Sequence, residues 1–157
     1  MRQIMKRMVI AASLVAGWLA VPVQAQEHFT EGPVWAVSYY RIQPDKGDDY
    51  LKWIRGNFLP TTEAQKKQGL ILDYKVFFNT SRRDEKDWDI AFATLYSSYG
   101  KALDYSAEDE GKDKAITAKQ YKTKDEAKQQ EIVAPRLAMR VYIGTNYIRE
   151  VTLKPLP

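Results

Sequence analysis

The chain has 157 residues, with 24 Lys and Arg against 20 Asp and Glu, a single His and no Cys. The absence of cysteine excludes disulfides, thiolate metal sites and a lipid-modified cysteine. Three of the basic residues, Arg2, Lys6 and Arg7, precede every acidic one, and without residues 1–25 the balance is 21 basic against 20 acidic, which leaves no basic surface of the kind that binds nucleic acid.

The basic start, the apolar run from Met8 to Val21 and the small residues of Val23-Gln24-Ala25 predict a secretory signal peptide over residues 1–25. Cleavage after Ala25 would make Gln26 the first residue of the mature chain. The apolar run has fourteen residues, whereas a helix needs about 20 to cross the hydrocarbon core, so no membrane association is expected after the leader is removed. The mature protein is expected in the periplasm or the secreted pool, and the lack of cysteine fits a bacterial envelope better than a eukaryotic extracellular domain. Residues 26–33 read as a flexible lead-in and residues 34–157 as one domain. The sole histidine, His28, falls in the lead-in, a poor place for catalysis.

Val34 to Ile42 is rich in β-branched and aromatic residues and reads as the first strand. Pro44-Asp45-Lys46-Gly47 makes a turn, and Asp48 and Asp49 favour the start of a helix whose Tyr50, Ile54 and Phe58 form one apolar stripe. Pro60 falls inside this helix and frees the carbonyl of Gly56, so a kink is expected before the helix resumes through Gln68 and stops at Gly69. Leu70–Asn79 and Trp88–Ser97 read as two strands joined by a polar hairpin loop. Tyr99–Tyr105 can start a helix, whereas the charged stretch Glu108–Lys114 has no apolar period and reads as a solvated loop. Thr123 and Glu126 have capping-box spacing for a helix running toward Pro135, and Val141–Leu153 reads as the last strand.

The order strand, helix, strand, strand, helix, strand predicts an α+β fold, a ferredoxin-like split βαβ sandwich whose antiparallel sheet carries helices on one face. Period-two alternation gives Val34, Ala36, Ser38, Tyr40 and Ile42 to the helix-covered face, with Leu70, Leu72, Tyr74, Val76 and Phe78, and with Trp88, Ile90, Phe92, Thr94 and Tyr96. The other face carries Trp35, Val37, Tyr39, Arg41, Ile71, Asp73, Lys75, Phe77, Asp89, Ala91, Ala93 and Leu95. So many aromatic groups call for a cover, either a second sheet or a ligand.

Tyr40-Arg41-Ile42-Gln43-Pro44 at the strand end, the aromatic-bearing helix after it, Gly69 leading into the next strand and Trp88-Asp89-Ile90 together resemble the dimeric α/β-barrel superfamily. That superfamily includes antibiotic-biosynthesis-type monooxygenases and small exported proteins of unknown role. The resemblance spans about Val34 to Leu153. It implies a homodimer paired through open sheet faces, with a cavity between sheet and helices or between subunits. Haem-binding relatives commonly use a histidine from within the fold, and none occurs there, so haem is not expected.

No phosphate-cradling glycine loop, GxGxxG fingerprint or metalloprotease motif is present, and no cofactor or metal is expected. The candidate cavity or interface residues are Trp35, Tyr39, Arg41, Asp73, Lys75, Phe77 and Asp89. Asp73 and Asp89 lie on neighbouring strands and are read either as an acid–base pair or as cross-strand partners of Lys75 or Arg41. Trp35, Tyr39 and Phe77 are read either as dimer-interface packing or as a platform for a planar ligand. The leading expectation for function is an exported homodimer that binds a small, partly apolar molecule. A cofactor-independent monooxygenase or isomerase and an envelope assembly partner are the alternatives.

Overall fold

The computed structural model describes residues 28–156, so the expected signal peptide and the expected cleavage point lie outside the described residues. Four strands form an antiparallel sheet: β1 (Phe29–Ile42), β2 (Asp73–Phe78), β3 (Ile90–Tyr96) and β4 (Arg140–Leu153), in the order β2-β3-β1-β4. β3 is inserted between β1 and β2, which run in the same direction. The helices are α1 (Gly47–Trp53), α2 (Leu59–Lys67), α3 (Tyr99–Leu103), α4 (Ala107–Tyr121), α5 (Glu126–Val133) and α6 (Pro135–Met139). Among the described residues no helix is long and apolar enough to cross a membrane.

β1 begins at Phe29, so most of the expected lead-in is strand. Phe29, Thr30 and Glu31 pair with Leu153, Thr152 and Val151, and the register slips between Glu31 and Val34. The slip falls on Gly32 and Pro33, where proline cannot donate to a ladder and a bulge removes the demand. At Gly32 the backbones come so close that a Cβ would lie 3.1 Å from the carbonyl oxygen of Glu150.

The helix stripe is interrupted as Pro60 requires, but by a π-helical segment, Ile54–Phe58, between α1 and α2. The Leu59 amide donates to the Ile54 carbonyl, five residues back. Gly56's carbonyl, left without the amide that Pro60 lacks, accepts from the Gln120 side chain of α4 at 2.9 Å. A local defect thereby becomes a tie between two helices.

β2 is shorter than its apolar run. Gly69 adopts φ +71°, a left-handed conformation that suits glycine, and the Leu70 amide donates to Gln65 at the end of α2 rather than joining the ladder. Leu70 and Ile71 instead turn into a buried cluster with Ile116, which moves Ile71 off the open face to which alternation assigns it.

The stretch Glu108–Lys114 is not a loop but part of α4. Ser106 caps it by accepting from the Asp109 amide, acidic residues fill its first turn, and Lys112–Glu108 and Lys114–Glu110 pair one turn apart. Lys101 of α3 also pairs with Asp109. Only Ile116 of this helix is buried, which is why no apolar period marks it. The cap of α5 is Asp125 rather than Thr123. Its Oδ1 accepts from Ala127 and Lys128, while Thr123 Oγ1 accepts from the Asp125 amide.

The core lies between the helices and the expected sheet face. Tyr50 and Ile90 are fully buried, Ile54 and Phe92 nearly so, and Tyr40, Phe58 and Val76 pack against them. Phe92 touches the Tyr50 ring edge-on at 6.4 Å and lies 4.5 Å from the ring of Phe58. Phe92→Ala should therefore cost about 3–5 kcal/mol, measured by denaturant unfolding.

Tyr74 extends this layer, its hydroxyl donating to Glu63 Oε1 at 2.6 Å. Removal from water and the Glu63 carboxylate push the Tyr74 phenol from 10.0 up to about 12. Because the folded value lies above the unfolded one, its contribution is whole below pH 10 and is lost as the pH rises through about 12. Over that window the native protein should lose more stability than Tyr74→Phe, as read by unfolding curves at stepped pH.

Candidate functional site

On the open face, β3 presents alanines where its other face presents Ile90 and Phe92. Ala91 and Ala93 are 1% and 2% exposed and stand in register with larger neighbours. Ala91 is opposite Tyr39 and Phe77, and Ala93 is opposite Val37 and Lys75. Small side chains on the middle strand between large ones on its neighbours leave a depression, a concavity of about 510 Å³. Its floor is Ala91, Ala93 and Val37.

The walls are aromatic and held by specific contacts. Trp35 donates its indole N–H to Glu150 Oε1 at 2.6 Å, and Lys75 Nζ stands 5.1 Å from the centre of the Trp35 ring. Tyr39 meets Trp88 edge-on at 5.4 Å. Lys75 and Glu150 thus bring one cation and one carboxylate to the same tryptophan, at the edge of an otherwise apolar surface. Such a site can hold a flat or aliphatic body on its floor and one polar group at the Lys75–Glu150 edge.

Of the candidate residues, Trp35, Tyr39, Lys75 and Phe77 line this concavity together. Arg41 does not line it; its Nη1 donates to the Glu85 carbonyl at 3.1 Å in the hairpin loop. Asp73 is opposite Leu95 and pairs with Lys66 of α2 at 2.6 Å, which holds its carboxyl below the usual carboxylate range. Asp89 adjoins Ile90, at the other end of the ladder, where it pairs with Arg82 at 2.7 Å and accepts from the Ile42 amide at 2.8 Å. The two carboxylates therefore share no space, and neither pairs with Lys75 or Arg41. Among the described residues no group of three His, Cys, Asp or Glu could hold a metal ion.

Four lining residues escape the sequence reading: Phe78, Trp88, Ile148 and Glu150. Alternation assigns Trp88 and Phe78 to the helix-covered face. Trp88, however, precedes β3, where the chain is not yet bound to the period of the strand, and Phe78 is the last residue of β2. Ile148 pairs with Trp35 across β1 and β4, so extending the alternation of the first strand through that pair would have found it and Glu150.

Phe77, Phe78 and Ile148 are 46%, 54% and 49% exposed, and because all three line the one concavity they form a patch rather than scattered surface residues. Comparison of the sequence with protein-family models and with curated proteins finds no match.

The partners of Asp89 make it a structural residue that ties the end of β1 to the hairpin. Asp89→Ala should lower stability by about 1–3 kcal/mol by leaving the Ile42 amide without its acceptor. Asp73→Ala, which removes an exposed pair, should change the melting temperature little by comparison.

Proposed function

We propose that this chain is an exported binding protein, a ferredoxin-like domain that pairs as a homodimer through its open sheet face in the manner of a dimeric α/β barrel. It holds a small, partly apolar molecule against Ala91 and Ala93. The observation that carries this reading is the concave aromatic face itself, with its alanine floor and its exposed Phe77, Phe78 and Ile148. A second sheet laid over that face would bury these side chains and close the concavity into an internal chamber. The basic start and apolar run of residues 2–21 support export.

Binding is favoured over the monooxygenase or isomerase reading by the positions of Asp73 and Asp89. General acid–base work needs its groups within reach of one substrate atom, and these carboxylates stand at opposite ends of a ladder, each engaged by a cation.

Native mass spectrometry and light scattering on the exported protein test the proposal together. The expected result is a dimer that retains small-molecule mass. Trp35→Ala and Tyr39→Ala should each raise the dimer dissociation constant about 30-fold, the effect of a central aromatic anchor, while far-ultraviolet circular dichroism stays unchanged. A ligand-free monomer at micromolar concentration would overturn it.

A further inference from the structure

A second cavity lies on the other side of the sheet, between it and the helices, with a volume of about 210 Å³. Tyr40, Phe58 and Phe92 give it aromatic walls, and Trp53, Arg136 and Arg140 supply its strong hydrogen-bond donors. The donors are arranged in layers. The guanidinium of Arg136 stands 5.7 Å from the Trp53 ring centre, Trp53 stacks on Tyr50 at 6.3 Å, and Arg140 lies over both Tyr50 and Tyr40, at 5.6 and 3.8 Å.

Two buried donors in this cluster have no acceptor: Trp53 Nε1 and Arg136 Nε. Arg140 uses Nη1 on the Tyr50 hydroxyl at 2.6 Å. Among the described residues none of the ion pairs involves either arginine. Stacking on a ring engages the face of a guanidinium and leaves its in-plane N–H groups free, the edge geometry that matches a carboxylate. Two half-buried arginines without a carboxylate partner, beside an orphan indole N–H, suit an acceptor that is also an anion, because charge-assisted hydrogen bonds to a guanidinium are stronger than neutral ones.

We infer that this cavity binds a small organic carboxylate. The carboxylate sits on Arg136, Arg140 and Trp53 Nε1, and its apolar body lies against Phe58 and Phe92. The volume is below the roughly 300–1,000 Å³ of pockets for drug-sized ligands, so the body is a single ring or a short chain. This site is separate from the concavity of the open face and requires no pairing of subunits.

The test is a titration of the mature chain with benzoate, followed by the indole N–H resonances of Trp35, Trp53 and Trp88, with Trp53 assigned by Trp53→Phe. Saturable binding that moves the Trp53 signal and leaves Trp35 and Trp88 in place is expected. Benzamide, the neutral isostere, should not move it. Arg136→Gln should weaken benzoate binding at least about tenfold, with unchanged Trp35 and Trp88 signals reporting an intact fold, and Arg136→Lys should restore part of the loss. No saturation by about 10 mM benzoate would overturn the inference. Equal binding of benzamide, tighter binding of inorganic phosphate than of benzoate, or a response at Trp35 in place of Trp53 would overturn it as well.

Discussion

The ring of Tyr50 packs edge-on against Phe92 while its hydroxyl accepts from Arg140, so one fully buried side chain joins the helix layer, the interior of the sheet and its edge strand. Burial raises the Tyr50 phenol above its ordinary value although Arg140 opposes the shift, which keeps the hydroxyl neutral. Phe92, Ile54 and Ile90 assemble around it. Because Tyr50 lies in the first helix and Arg140 at the start of the last strand, their contact also closes the order of elements on itself.

That core uses the helices on one face of the sheet. The other face is left open among the described residues, and β3 shows the consequence within a single strand. Ile90 and Phe92 fill the space beneath the helices, while Ala91 and Ala93 leave a hollow on the opposite side. The aromatic residues of β1 and β2 stand around that hollow because they alternate with residues the core requires. The proposed dimer and its chamber follow from this imbalance between two faces made by the same strands.

Interruptions in the helices also carry structure. Pro60 removes one amide donor, the chain answers with a π-helical segment, and the exposed Gly56 carbonyl is taken up by Gln120. The same irregular region begins just after Trp53, whose indole N–H faces no acceptor, and ends at Phe58, which walls the interior cavity. A defect in hydrogen bonding and a cavity with unanswered donors thus lie side by side, where strict α-helical packing has been given up.

Period-two alternation by itself determined which face of β1 and β3 meets the helices, because a strand bound on both sides holds its side chains to opposite faces. It placed Phe92 in the core and Trp35, Tyr39 and Phe77 on the open face, and the Pro60 interruption could be read from the missing amide. Contacts between distant segments were beyond it. Helix α4 is held by caps and ion pairs with only Ile116 buried, so apolar periodicity could not announce it. Trp88 and Phe78 sit where ladder pairing ends, and the period lapses with it. The partners of Asp73 and Asp89 come from α2 and the hairpin loop, and Arg136 and Arg140 meet Trp53 and Tyr50 only after the chain has folded back through more than eighty residues. Sequence spacing states which side chains share a face. Which charged groups find one another across that face depends on how the helices cross it, and the tertiary structure alone decides that.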